Sequence, residues 1–90
     1  MIVKITHFDE NADIPFIDYE VNGLLSNQMN FLNENLEEET SIDGDTLYIR
    51  LYFKDIFPFQ SEVAKIRLDD FIAREEIEMN VFLSGFLEDM

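Results

Sequence analysis

Twenty carboxylates against six Lys and Arg define the chemistry open to this 90-residue chain. Ionised Asp and Glu accept hydrogen bonds, bind hard cations, move protons and attract Lys and Arg. They gather in two clusters. The first is Glu34, Glu37, Glu38, Glu39, Asp43 and Asp45, and the second is Asp69, Asp70, Glu75, Glu76 and Glu78. No Lys or Arg stands between Lys4 and Arg50, so the first cluster has no sequence-local cation to pair with. Residues 1–45 carry eleven acids against Lys4 alone, a charge of −10. Residues 46–68 carry +2, with Arg50, Lys54, Lys65 and Arg67 against Asp55 and Glu62, and residues 69–90 carry −6. The total is −14.

Three local patterns could carry chemistry of their own. Asp9, Asn11, Asp13 and Glu20 fall at positions 1, 3, 5 and 12 of a calcium loop, as an EF-hand wants. The sixth position needs Gly for its sharp turn, however, and here it is Ile14, followed by Pro15. Asp43-Gly44-Asp45 holds fewer ligands still. His7, the single histidine, has no second His and no Cys to help it hold a metal, and it reads more simply as a strand residue. The Ser and Thr residues share that one His and form no nucleophile elbow. The three Gly are isolated, so no loop cradles phosphate. Carboxylate pairs are too abundant for any one of them to single out a glycosidase. The expectation is a protein that is not an enzyme and takes neither cofactor nor metal.

The elements that must position the acids follow from periodicity. Ile2–Phe8 is rich in β-branched residues and reads as a strand. Phe16–Val21 alternates, with Ile17, Tyr19 and Val21 inward and Asp18 and Glu20 outward, and Asn22-Gly23 signals a turn. Leu24–Glu38 reads as a helix on the stripe Leu25, Met29, Leu32 and Leu36, widened by Leu24 and Phe31. On that reading Glu37 and Glu38 ride the helix C-terminus, where the dipole disfavours them, and Glu34 repels Glu38 four residues on. The alternative makes Glu39–Ile42 a strand, turned by Asp43-Gly44 into the next. Thr46–Lys54 is the clearest strand, with Leu47, Ile49, Leu51 and Phe53 inward. Glu62–Leu68 alternates again and is expected to pair with it as a hairpin, a short helix from Ser61 being the competing choice. Asp69-Asp70 then cap a helix carrying Ile72, Met79, Leu83 and Phe86 on one face, with Gly85 placed to break it. The expected fold is a single α+β domain over residues 1–90, with an antiparallel sheet of about four strands and two helices packed on one face.

Size and charge then select among functions. A 10.6 kDa chain with nine Phe and three Tyr builds a core and is not an acidic tail. It lacks Cys, a signal-peptide layout and any apolar run long enough for a span, so the expected location is cytoplasmic. A charge of −14 repels nucleic acid and anionic lipid and favours a basic partner. The outward aromatics and cations Tyr48, Arg50, Tyr52, Lys54, Lys65 and Arg67 resemble a single-strand platform when taken alone. In this acidic chain they are expected to pair with the protein's own acids or to line one edge of a partner interface.

In size, acidity, lack of Cys and single-domain layout, the chain resembles the small phage-encoded inhibitors of CRISPR nucleases and restriction enzymes that act as DNA mimics. The resemblance implies binding to a basic nucleic-acid-binding protein, a nuclease or its complex, in a host cytoplasm. Carboxylates would then stand where phosphates bind, with the eleven acids of the two clusters as contacts. An immunity protein or antitoxin facing a basic nuclease toxin uses the same physics. A third reading, an assembly protein or homodimer, rests on the aromatics Phe57, Phe59, Phe82 and Phe86, with Met90.

Overall fold

A computed structural model describes residues 1–9, 12–52 and 68–90, without the side chains of Leu68 and Asp69. The elements run β1 (Ile2–Asp9), β2 (Phe16–Asn22), α1 (Ser26–Asn35), β3 (Glu39–Asp43), β4 (Thr46–Tyr52) and α2 (Leu68–Leu87). The four strands form one antiparallel sheet in the order β1-β2-β4-β3, so the architecture is the expected small α+β domain. Among the described residues no helix is long and apolar enough to cross a membrane.

The alternation of β2 and β4 decides which face of the sheet is covered. Ile17, Tyr19, Val21, Leu47 and Ile49 are buried on one side, with Val3 beside them. Met29 and Leu32 of α1 and Met79 and Leu83 of α2 close over this face. Asp18, Glu20, Tyr48 and Arg50 occupy the other face, which the helices leave open. One side of a two-sided sheet buried and the other solvated is what a period of two produces.

The helix α1 is shorter than its apolar stripe. Leu25 lies outside it as the N-cap and is 65 % exposed, while the Gln28 side chain returns to the Leu25 N–H at 2.8 Å. At the other end Asn35 donates from Nδ2 to the Phe31 carbonyl at 2.7 Å, and Leu36 turns extended. Leu36 keeps its place against the core from that extended position. Glu37 and Glu38 therefore leave the helix, contrary to the sequence expectation. Ending at Asn35 spares the chain two more acids at the negative end of the dipole. Glu39–Asp43 is instead a strand, the alternative reading. The loop to β4 is Gly44-Asp45, with a positive φ of 62° at Gly44 alone, as a II′ turn requires of its first central residue.

Two further expectations change. Both sides of β4 are occupied, by β2 and by β3, so the expected hairpin between β4 and a strand at 62–68 does not form there. Residues 62–67 lie outside the described residues, and Leu68 opens α2. Asp70 therefore lies in the first turn of α2, with Asp69 before it, still at the end where the dipole favours acid. The helix runs through Gly85 to Leu87 rather than breaking at the glycine.

The edge of β1 is held by α2. The register slips between Ile5 and His7, a bulge, and the Ile5 N–H is taken by the Glu76 carboxylate at 2.7 Å. Asn80, one helical turn on, donates to the Met1 carbonyl at 3.4 Å. An edge strand's outward backbone groups invite a second chain, and these two contacts use some of them.

Candidate functional site: an acidic edge and a carboxylate cleft

The fold distributes the eleven candidate acids over several surfaces. Glu34 is exposed on α1, Glu37 on the loop after it and Asp45 in the hairpin turn. Glu39 and Asp43 fall in line with Ser41 along β3 and share the open face of the sheet with Arg50 and Tyr48. Asp70 is exposed at the start of α2, and the Asp69 side chain lies outside the described residues. Glu76 is committed to the Ile5 N–H and belongs to the fold. The remaining three meet. Glu38, from the loop between α1 and β3, stands across a cleft from Glu75 and Glu78 of α2. The two clusters, separate in sequence, are joined in space.

Local structure explains the meeting. Thr40 Oγ1 donates to Asn33 Oδ1 at 2.7 Å, which ties the start of β3 to α1 and fixes the loop carrying Glu38. Met79 and Leu83 seat α2 on the sheet, and that phase of the helix turns Glu75, Glu78 and Phe82 toward the loop. The cleft measures about 210 Å³ and is walled by Leu51, Met79 and Phe82 besides the three carboxylates. Tyr19 of β2 forms its floor.

This setting shifts two groups. Burial raises the Glu75 carboxyl above the ordinary glutamate range, and Glu78 adds to it by repulsion and by sharing a hydrogen bond, while Arg74 opposes. Burial also raises the Tyr19 phenol, with help from Glu75, Glu78 and Glu76, so it stays neutral. An acid whose folded pKa lies above its unfolded one binds its proton more tightly in the folded state. Its contribution is then favourable at lower pH and is lost as pH rises through the folded value. Thermal unfolding followed from pH 4.5 upward should show Glu75→Gln gaining on the parent chain as pH rises through the Glu75 titration. An unchanged difference across that range would contradict the buried setting of Glu75.

The open face is already satisfied internally. Arg50 pairs with Asp18 through two bonds, Nε to Oδ1 at 2.7 Å and Nη2 to Oδ2 at 3.0 Å. Its guanidinium lies 4.0 Å over the Phe16 ring, and Tyr52 donates to Glu39 at 3.2 Å. Arg50 thus behaves as expected, pairing with an acid of its own chain. Lys54, Lys65 and Arg67 lie outside the described residues. A hollow of about 550 Å³ on this face is lined by Asp18 and Arg50, which already satisfy one another.

The EF-hand spacing does not gather its ligands. Asp9 lies opposite Phe16 in the β1–β2 pairing, while Glu20 is four residues further along β2, roughly 13 Å away at ~3.3 Å per residue. Asn11 is outside the described residues, and no group of three potential ligands suited to a metal occurs among the described ones. Of the aromatics assigned to self-association, Phe57 and Phe59 are outside the described residues. Phe86 packs against Phe31 at 5.8 Å, so it serves the contact between α1 and α2. Phe82 stays 46 % exposed at the rim of the cleft, and Met90 is exposed.

Sequence reasoning missed Tyr19 as part of a site. The signal was present: an inward strand position occupied by a side chain with a polar tip. The contact with acids 19 to 59 residues away was not, because nothing local encodes it. One family model, that of a family of unknown function (DUF5750), matches residues 2–89. No curated protein matches the chain.

Proposed function

Since the chain belongs to this family of unknown function, we propose from its surface chemistry that it is a small inhibitor binding a basic, nucleic-acid-binding protein where that protein would hold phosphates. One observation carries the reading. Among the described residues none of Glu34, Glu37, Glu38, Glu39, Asp43 and Asp45 forms an ion pair, and all but the half-buried Glu38 are exposed. Exposed like charges at this density destabilise the compact state by self-repulsion, a cost that an opposite surface would offset. Glu37, Glu38, Glu39, Asp43 and Asp45 follow one another along edge strand β3 and its flanks. At ~3.3 Å per residue that is about one charge per 6–7 Å, roughly half the linear density of a nucleic-acid strand at ~3.4 Å per charge. A partner whose Lys and Arg are arranged for phosphates would receive them, with fast, salt-sensitive association.

The test is retention of a partner from soluble lysate on the immobilised protein, followed by elution with salt or with duplex DNA. A basic nucleic-acid-binding protein is expected, retained at low salt, displaced by DNA and weakened about tenfold or more between 50 and 200 mM salt. A neutral partner that survives high salt and ignores DNA would overturn the reading.

A further inference from the structure

Tyr19 is not explained by an acidic surface. Its side chain is 1 % exposed, yet its hydroxyl has no hydrogen-bond partner among the described residues. Buried polar groups are nearly always paired, and one left unpaired is costly. Tyr19 lines the cleft together with Glu75 and Glu78 of α2 and Glu38 of the loop, and the two α2 carboxylates are near enough to its phenol to act on it electrostatically. The floor offers a neutral oxygen, the walls offer carboxylates, and the rim offers the exposed ring of Phe82 beside Met79 and Leu51.

We propose that the cleft over Tyr19 is a socket for one arginine side chain of the partner protein. The inference rests on the reading above and names where its strongest contact is made. A guanidinium carries five N–H donors in a planar fork. It could engage carboxylates on two sides and the Tyr19 oxygen beneath, while its face stacks on Phe82. It is also weakly hydrated, which suits a half-apolar cleft. A lysine ammonium is a strongly hydrated point charge with no flat face, so it gains less from the same walls. An arginine in the socket supplies what the cleft lacks, a cation between Glu75 and Glu78 and a donor to the Tyr19 hydroxyl.

The experiment is a backbone amide NMR titration of the full chain with two short uncharged-backbone peptides that differ only in one Arg or one Lys. Free arginine amide is the third probe. The Arg peptide is expected to shift the amides of Tyr19, Glu38, Glu75 and Glu78, and to bind at least tenfold more tightly than the Lys peptide. Glu75→Gln with Glu78→Gln should weaken it at least tenfold, and Tyr19→Phe severalfold, with the remaining spectrum unchanged. Equal binding of Lys and Arg, or shifts confined to β3 and its turn, would overturn the socket. Free arginine amide binding as tightly as the peptide would overturn the commitment to a protein side chain. The double Gln variant is also carried through the lysate retention. If it holds the partner as well as the parent chain does, the socket fails and the wider reading stands. If the parent chain itself retains no basic protein, the wider reading is what fails.

Discussion

Replacing Leu32 with alanine is expected to cost the domain roughly 2–5 kcal/mol, by lost transfer energy and the cavity left behind. Leu32 is fully buried, between the sheet and α2, on a helix of ten residues. A helix that short does not hold itself together in water and depends on what its apolar face packs against. A chain of this length has about 5–13 kcal/mol of stability in all, so the loss is a large part of it. The melting temperature should fall by on the order of 10–40 °C. Leu25→Ala is the matched comparison. Sequence periodicity gave Leu25 and Leu32 the same stripe, but Leu25 is the exposed N-cap and should cost less than about 0.5 kcal/mol. Urea unfolding of both variants checks this, provided the slope with denaturant is unchanged. Equal losses would mean that α1 starts earlier and buries Leu25.

The same pair of residues shows where sequence was informative. The strands β2 and β4 were legible because a period of two with one buried face leaves little freedom: Ile17, Tyr19 and Val21 are inward, and so are Leu47 and Ile49. The helix boundaries were less so. Leu36 fits the helical stripe, yet it also reaches the core from extended chain, so periodicity cannot tell where α1 stops. That ambiguity carried Glu37 and Glu38 onto the helix and made their placement look costly. The structure removes much of that cost, and what stays unusual is that these acids have no cation paired with them among the described residues. The cleft was illegible for a different reason. Its parts come from β2, β4, the loop before β3 and α2, and only tertiary packing brings Glu38 to Glu75 and Glu78. Glu76 illustrates the converse error. By composition it matches its neighbours, but its bond to the Ile5 N–H makes it a fastening of edge strand β1. No pattern in sequence separates such a carboxylate from one that awaits a partner.

Reversing Glu37, Glu38 and Glu39 together to lysine should weaken binding to the basic partner by about a hundredfold at low salt. The three residues straddle edge strand β3. Glu37 is exposed on the approach to it, Glu38 borders the cleft on the helix side, and Glu39 lies on the open face opposite Arg50. Reversal therefore reaches both sides of the acidic edge at once. A single exposed ion pair contributes about 0.2–1 kcal/mol, and exchanging attraction for repulsion roughly doubles the effect at each position. Three such exchanges give about 1–6 kcal/mol, and the loss should shrink as salt screens it. The comparison that gives this meaning is a second triple reversal, Asp13→Lys with Glu88→Lys and Asp89→Lys, all exposed and away from β3. Both variants change the net charge from −14 to −8, so long-range steering by total charge is weakened alike in the two. Only the first alters the surface proposed to stand in for phosphates. Binding measured at two salt concentrations should find the first variant far weaker than the second. Equal losses would mean that net charge alone attracts the partner, and that the edge around β3 has no special part in holding it.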